Sequence, residues 1–248
     1  MMMQPPSPSV KDHYDRFLAG QYVWMAGGFA INLERNRRLF SEAGIIPRST
    51  GTAIDLGAGC GFAAIPLAGA GFRVTAVDFC RPLLDELVRH TPEISTVEGD
   101  ILDFPLWAGR GPELIVCMGD TLTHLPDTGS VRNLLRQCDA ELVPGGKFIL
   151  ALRDYSAGER GETVVIPVRR DTGQIFLCRL EYGDEKICVT DIVYSNRAGK
   201  WERNASSYEK IRFPPGSLIQ ELEHAGLQID EHIPGEGLIT IIAEKIQE

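Results

Sequence analysis

The chain has 248 residues, of which 44% are hydrophobic and 24% charged. This composition excludes a disordered, collagen-like or coiled-coil chain, and the length suits one large α/β domain with an addition. The 34 acidic residues outnumber the 25 basic ones, for a formal charge of −9, and no Lys/Arg cluster builds a phosphate-binding face, so no nucleic-acid partner is expected. No apolar run approaches the ~20 residues that cross a bilayer, so no membrane partner is expected either. Cys60, Cys80, Cys117, Cys138, Cys178 and Cys188 form no Cys-x-x-Cys pair and no zinc-finger spacing with histidine. A reduced, metal-free, cytoplasmic protein is the reading that follows.

Residues 1–10 are proline-rich, lack a basic-then-apolar leader and are expected to be disordered. Residues 11–50 read as a helical lid. Tyr14, Phe17, Leu18 and Tyr22 recur at helical spacing, Gly27-Gly28 breaks the run, and a second helix from about Ala30 to Ala43 stops at Gly44. Residues 51–248 read as one α/β domain. Strands are expected at Thr52–Leu56, Arg73–Val77, Ile94–Glu98, Glu113–Met118 and Lys147–Leu152. Helices fall between them at Phe62–Gly69, Pro82–His90 and Gly129–Leu142. Pro66 fits the first helix only in its first turn, so that helix should begin near Ala63. Repeated β–α units imply a parallel sheet with right-handed crossovers.

From about residue 160 to 213 the pattern changes. Thr163–Arg169, Gln174–Tyr182, Lys186–Ser195 and Lys200–Phe213 are rich in β-formers and separated by hairpin signals. They predict an inserted antiparallel meander. A helix from Pro214 to Ala225 and strands at Leu227–Ile233 and Leu238–Ala243 close the chain.

Chemistry concentrates at strand ends. Asp55-Leu56-Gly57-Ala58-Gly59-Cys60-Gly61 is a strand running into a glycine turn that opens a helix. Phe62 stands where a dinucleotide fingerprint needs glycine, and no Lys-Ser/Thr phosphate cradle follows. Asp55 suits a ligand bearing an ammonium group. Asp78 ends the second strand about 20 residues past the glycine turn, where an acid accepts ribose hydroxyls. Asp100 follows the third strand, with Phe79 and Ile101 as apolar walls for a ring. Each acid alone is commonly a solvated turn residue; three at consecutive strand ends mark the ligand edge of an open sheet.

Together with Leu114-Ile115-Val116-Cys117-Met118-Gly119-Asp120 and Leu142-Val143-Pro144-Gly145-Gly146-Lys147, these residues resemble the class I S-adenosylmethionine-dependent methyltransferases of small-molecule type. The resemblance covers about Thr52 to Asp154. It implies a Rossmann-like seven-stranded, mostly parallel sheet flanked by helices, with the last strand antiparallel, and S-adenosylmethionine as cofactor. It implies that Gly57, Ala58, Gly59 and Gly61 meet the methionine moiety. It assigns Asp55 to the ammonium, Asp78 to the ribose, Asp100 with Ile101 to the adenine, and Met118 and Gly119 to the sulfonium. Tyr14 and Tyr22 resemble a lid over the cofactor, with Trp24 beside the acceptor; plain core packing is the other reading of these aromatics.

Methyl transfer needs alignment and exclusion of water, and a base only where the acceptor must lose a proton. His124, six residues past the fourth strand, is the first base candidate, and packing is its plain alternative. His13 is a second base candidate if the lid folds over. Asp120 is placed to orient the acceptor; Arg153 and Tyr155, after the fifth strand, are placed to bind it. An Asn-Pro-Pro-Tyr motif is absent after the fourth strand, which argues against a DNA base. The expected function is methylation of an oxygen or nitrogen on a small-molecule acceptor. The alternatives are a protein or peptide methyltransferase and a non-catalytic S-adenosylmethionine sensor. In the meander, Cys178, Leu180 and Tyr182 share a face, as do Trp201, Arg203, Ala205, Ser207 and Glu209. That sheet is expected to roof the acceptor pocket or to form a homodimer interface.

Overall fold

The computed structural model describes residues 9–109, 111–234 and 237–246. The disorder expected for residues 1–10 lies outside these up to Pro8, and Val10 already starts a helix. Helix α1 (Val10–His13) is capped by the Ser9 side chain on the Asp12 amide. It runs into a π turn at Tyr14–Leu18, a 3-10 turn at Ala19–Gln21 and helix α2 (Tyr22–Met25). Gly27 and Gly28 then take φ of 101° and 111°, angles that side chains resist. Asn32 pins this junction by donating to the carbonyls of Ala26 and Gly28. Helix α3 (Phe29–Glu42) buries Phe40 in the same apolar cluster as Leu67 on the sheet's flank. The far end of α3 thus packs on the domain's flank, while Phe29 at its start packs with Tyr22 and Phe62.

Strand β1 (Thr52–Leu56) lies centrally, followed by helix α4 (Ala64–Gly69), β2 (Arg73–Asp78), α5 (Arg81–His90), β3 (Ser95–Glu98), β4 (Leu114–Cys117), α6 (Thr128–Glu141) and β5 (Lys147–Leu152). The strands are parallel and carry near-continuous apolar runs because helices cover both faces. Alternate residues supply the two cores. Ile54, Ile115, Phe148 and Leu150 pack with Leu134 and Leu218, whereas Ala53, Val116 and Ile149 pack with Leu67 and Leu87.

The insertion is a separate four-stranded antiparallel sheet: β6 (Thr163–Arg170), β7 (Gln174–Tyr182), β8 (Lys186–Arg197) and β9 (Lys200–Ile211). β6 is an outer strand with Val165, Ile166 and Val168 exposed, and its register shifts between Pro167 and Arg169. Helix α7 (Pro215–His224) leads to β10 (Leu227–Pro234) and β11 (Ile239–Lys245). β11 inserts antiparallel between β5 and β10, which completes the order β3-β2-β1-β4-β5-β11-β10. The Rossmann-like seven-stranded sheet with an inserted meander is as expected. The order reverses at β1, so the crevice beyond the carboxyl ends of β1 and β4 is where an open sheet of this kind takes its ligand.

Candidate active site

β1 ends in a turn held by its neighbour: the amides of Gly57 and Ala58 donate to the Val77 carbonyl at 2.8 and 3.1 Å. Gly57 has φ of 74°, and a Cβ there would lie 2.3 Å from Thr121 Cγ2. Only glycine lets the turn and the loop after β4 come this close. Asp55 is 1% exposed, and its Oδ2 has no hydrogen-bond partner. Burial, then the charge of Asp78, pushes its carboxyl up to about 7.

Asp78 accepts from the Gly59 amide at 2.8 Å and the Cys80 amide at 2.7 Å, one on each oxygen. Each oxygen keeps a second lone pair for a hydroxyl. Burial nevertheless raises its pKa, because desolvation outweighs those two bonds. Asp100 is exposed beyond β3, where one oxygen caps the turn at Leu102 and leaves the other free; Ile101 beside it is buried. β1, β2 and β3 are neighbours, so the three acids stand in a row along one sheet edge.

The loop after β4 forms the opposite rim. Gly119 is exposed, with nothing near the position of a Cβ, and Met118 is partly buried. Asp120 adopts φ of 76° and is 2% exposed. Its carboxylate accepts from Tyr155 Oη at 2.8 Å and from the Arg153 amide at 2.9 Å, and it pairs with the buried Lys210 ammonium. These partners use the oxygens expected to orient an acceptor, so Asp120 acts as a strut between β5, β9 and this loop. Tyr155 is buried with its hydroxyl turned to that strut, and the exposed Arg153 side chain donates to the Gly237 carbonyl at 3.3 Å.

The lid closes over the row. Tyr14 Oη lies 3.2 Å from His124 Nε2, and the Tyr14 ring is 5.8 Å from that of Phe79. Phe79 follows β2 and His124 follows β4, with β1 between them, so Tyr14 spans the glycine turn. Tyr22 stacks on Phe62 at 5.9 Å, just past Gly61. Lys11 donates to the Phe79 carbonyl and pairs with Asp15 at 2.9 Å and Glu98 at 3.6 Å, tying the lid to β2 and β3. Trp24 lies elsewhere: its indole donates to Asp171 at 2.7 Å, with the Arg169 guanidinium over the ring. That places it against the β6–β7 turn.

Three residues of this enclosure had escaped the sequence reading: Asp191 on β8, and Tyr208 and Lys210 on β9. On β9, Tyr208 and Lys210 are buried and Glu209 is exposed, so the end of that strand faces the domain with its even-numbered residues. The residues grouped from sequence on one face, Trp201 to Glu209, lie on the other side of that strand end. Alternation was visible, but a lysine in a strand reads as solvent-facing until its carboxylate partner is known. Burial, then the charge of Lys210, holds the His124 pKa well below the ordinary imidazole range, so His124 is neutral at pH 7.

Residues 53–146 match the family described as "Methyltransferase domain". The strand order and the acids at the ends of β1, β2 and β3 agree with that match. Residues 53–146 thus carry a methyltransferase domain, and the fold is that of the class I S-adenosylmethionine-dependent methyltransferases. Over 126 residues it is 34% identical to a cypemycin N-terminal methyltransferase of Streptomyces sp, a stretch covering 48% of this chain and 51% of that protein. The match thus spans about half the length of that curated relative. Among solved structures, CcbJ methyltransferase from Streptomyces caelestis is similar with TM-score 0.75 and 20% identity, covering 96% of this chain and 97% of that one. The amino pentose methyltransferase CalS10 from Micromonospora echinaspora, solved with S-adenosylmethionine, gives TM-score 0.73 and 15% identity, covering 98% and 100%. At such identities the two structures speak for the fold.

The residues present fit this family's cofactor. The unpartnered Asp55 oxygen would meet an ammonium, the spare lone pairs of Asp78 would take ribose hydroxyls, and the free oxygen of Asp100 would accept from an adenine amino group. Among the described residues, no cluster of three or more His, Cys, Asp or Glu could hold a metal ion, and no helix is long and apolar enough to cross a membrane.

Proposed function

We propose that this chain transfers the methyl group of S-adenosylmethionine to a nitrogen atom of a small-molecule acceptor. One observation carries the reading: three acids, Asp55, Asp78 and Asp100, line adjacent strand ends beneath a lid whose Tyr14 reaches from Phe79 to His124. A sulfonium nucleoside with an amino-acid tail matches those acids group by group. The bound cofactor supplies an electrophilic methyl carbon, so the chain's own task is alignment and exclusion of water. Asp55 holds the amino-acid tail, Asp78 the ribose and Asp100 the adenine. Tyr14 and Tyr22 cover it and present π faces to positive charge. The meander, through Tyr208, roofs the space beside His124, which favours a small acceptor over an open peptide groove. Nitrogen is supported by a relative named an N-terminal methyltransferase and by a structural neighbour named a sugar N-methyltransferase. Oxygen remains the alternative outcome of the test.

That test is calorimetric titration with S-adenosylhomocysteine, followed by incubation with S-adenosylmethionine and a panel of amines and hydroxyl compounds. Saturable binding and a methylated amine product are expected. Product only from hydroxyl compounds would replace nitrogen with oxygen, and absence of nucleoside binding would end the proposal.

A further inference from the structure

His13 is fully buried at the end of α1, and its Nε2 lies 3.1 Å from Oδ2 of Asp191, itself 4% exposed on β8. A carboxylate only accepts, so the shared hydrogen sits on Nε2. That leaves Nδ1 of the neutral ring with a free lone pair, and the structure gives this buried atom no partner. The ring lies 4.3 Å from that of Tyr208, tilted by 37°, and Tyr208 in turn stacks 5.4 Å from His124, so His13 belongs to the enclosure beside the loop after β4. His124 Nδ1 is likewise buried without a partner, yet His124 has the weaker claim to a proton. Its Nε2 meets a tyrosine hydroxyl, no carboxylate supports it, and the Lys210 charge opposes a second positive charge.

We propose that His13, backed by Asp191, is the base that takes the acceptor's proton. The proposal rests on the methyltransferase reading and deepens it. The acceptor nitrogen's lone pair forms the bond to the methyl carbon, the carbon–sulfur bonding pair goes to sulfur to leave S-adenosylhomocysteine, and one N–H bond breaks. The bonding pair stays on nitrogen, and the proton forms a new bond to Nδ1. The Asp191 carboxylate stabilises the resulting imidazolium, as a carboxylate does behind an imidazole base. The imidazole comes from the lid and the carboxylate from the meander, so the pair exists only when the lid is down.

The position of the ring hydrogen tests this without turnover. Two-bond 1H–15N spectra of the full chain with S-adenosylhomocysteine, recorded at alkaline pH where imidazoles are neutral, should show the His13 hydrogen on Nε2 and Nδ1 bare. The His13 signals are identified by their loss in His13→Gln. Asp191→Asn should shift hydrogen toward Nδ1. A wild-type hydrogen on Nδ1 overturns the proposal. In single turnover with an accepted amine, His13→Ala should slow methylation by about 10²–10⁴, retain affinity for S-adenosylhomocysteine and recover rate with added imidazole. An unchanged rate, or a loss that imidazole leaves untouched, overturns it. If the wild type methylates no compound offered, that failure falls on the proposed function, and the ring hydrogen still decides the dyad.

Discussion

Lys210 and Asp120 form a buried ion pair that fastens the last meander strand to the loop after β4. Removing one charge strands the other away from water. Asp120→Asn, which tolerates the left-handed backbone there, is expected to cost about 3–5 kcal/mol. The double variant Asp120→Asn/Lys210→Met should recover much of that. Urea unfolding of both checks it, and a double variant no more stable than Asp120→Asn would mean that the pair is not the source of the loss.

Asp55 ties stability to pH. Its folded value of about 7 lies above the ~3.9 of an unfolded aspartate. Between those values the folded chain holds a proton that the unfolded chain has released. Its contribution is therefore full below pH ~3.9 and is lost as pH rises toward 7. Asp55→Asn should flatten that slope in unfolding curves taken across the range. An ammonium placed beside Asp55 favours its charged form, so S-adenosylhomocysteine binding near neutral pH should release a proton. Calorimetry in buffers of different ionisation enthalpy reads that release, and it should vanish in Asp55→Asn.

Asp78 and Asp100 should differ in weight. Asp78 is buried and joined to the glycine turn, so Asp78→Ala should weaken S-adenosylhomocysteine binding by roughly tenfold or more, the scale of lost charge-assisted bonds. Asp100 is exposed, and Asp100→Ala should cost less. Titration of the two variants side by side gives the order, and equal losses would speak against this assignment of the acids.

The glycine turn offers a steric contrast. Gly57→Ala puts a methyl group into Thr121 at a positive φ, whereas the nearest atom to a Cβ on Gly59 is Leu83 Cδ1 at 3.8 Å. Gly59→Ala should show only the left-handed penalty of about 1–2 kcal/mol, and Gly57→Ala should lose more. Thermal unfolding of the two proteins measures the difference.

Much of this was legible in the sequence, for identifiable reasons. The β–α alternation and the acids at strand ends are local signals, and the sheet order follows from the family resemblance. The strut and the dyad are not local. Asp120 and Lys210 are 90 positions apart, and His13 and Asp191 are 178 apart. Nothing near Lys210 reports that its ammonium has a buried partner, so an alternating strand leaves two faces open to choice. The contact of Trp24 with Asp171 on the β6–β7 turn is not local either, since helical spacing does not report the π and 3-10 turns at Tyr14–Gln21 that precede it.

Strand β6 has a final consequence. Val165, Ile166 and Val168 would make an open sheet border adhesive, since bare amides and apolar side chains invite another chain to add on. Pro167 brings no amide hydrogen to the middle of that border, and the register shift beside it kinks the strand. An arriving strand thus meets a gap and a bend where it needs a straight ladder, which guards the protein against growing end upon end at high concentration.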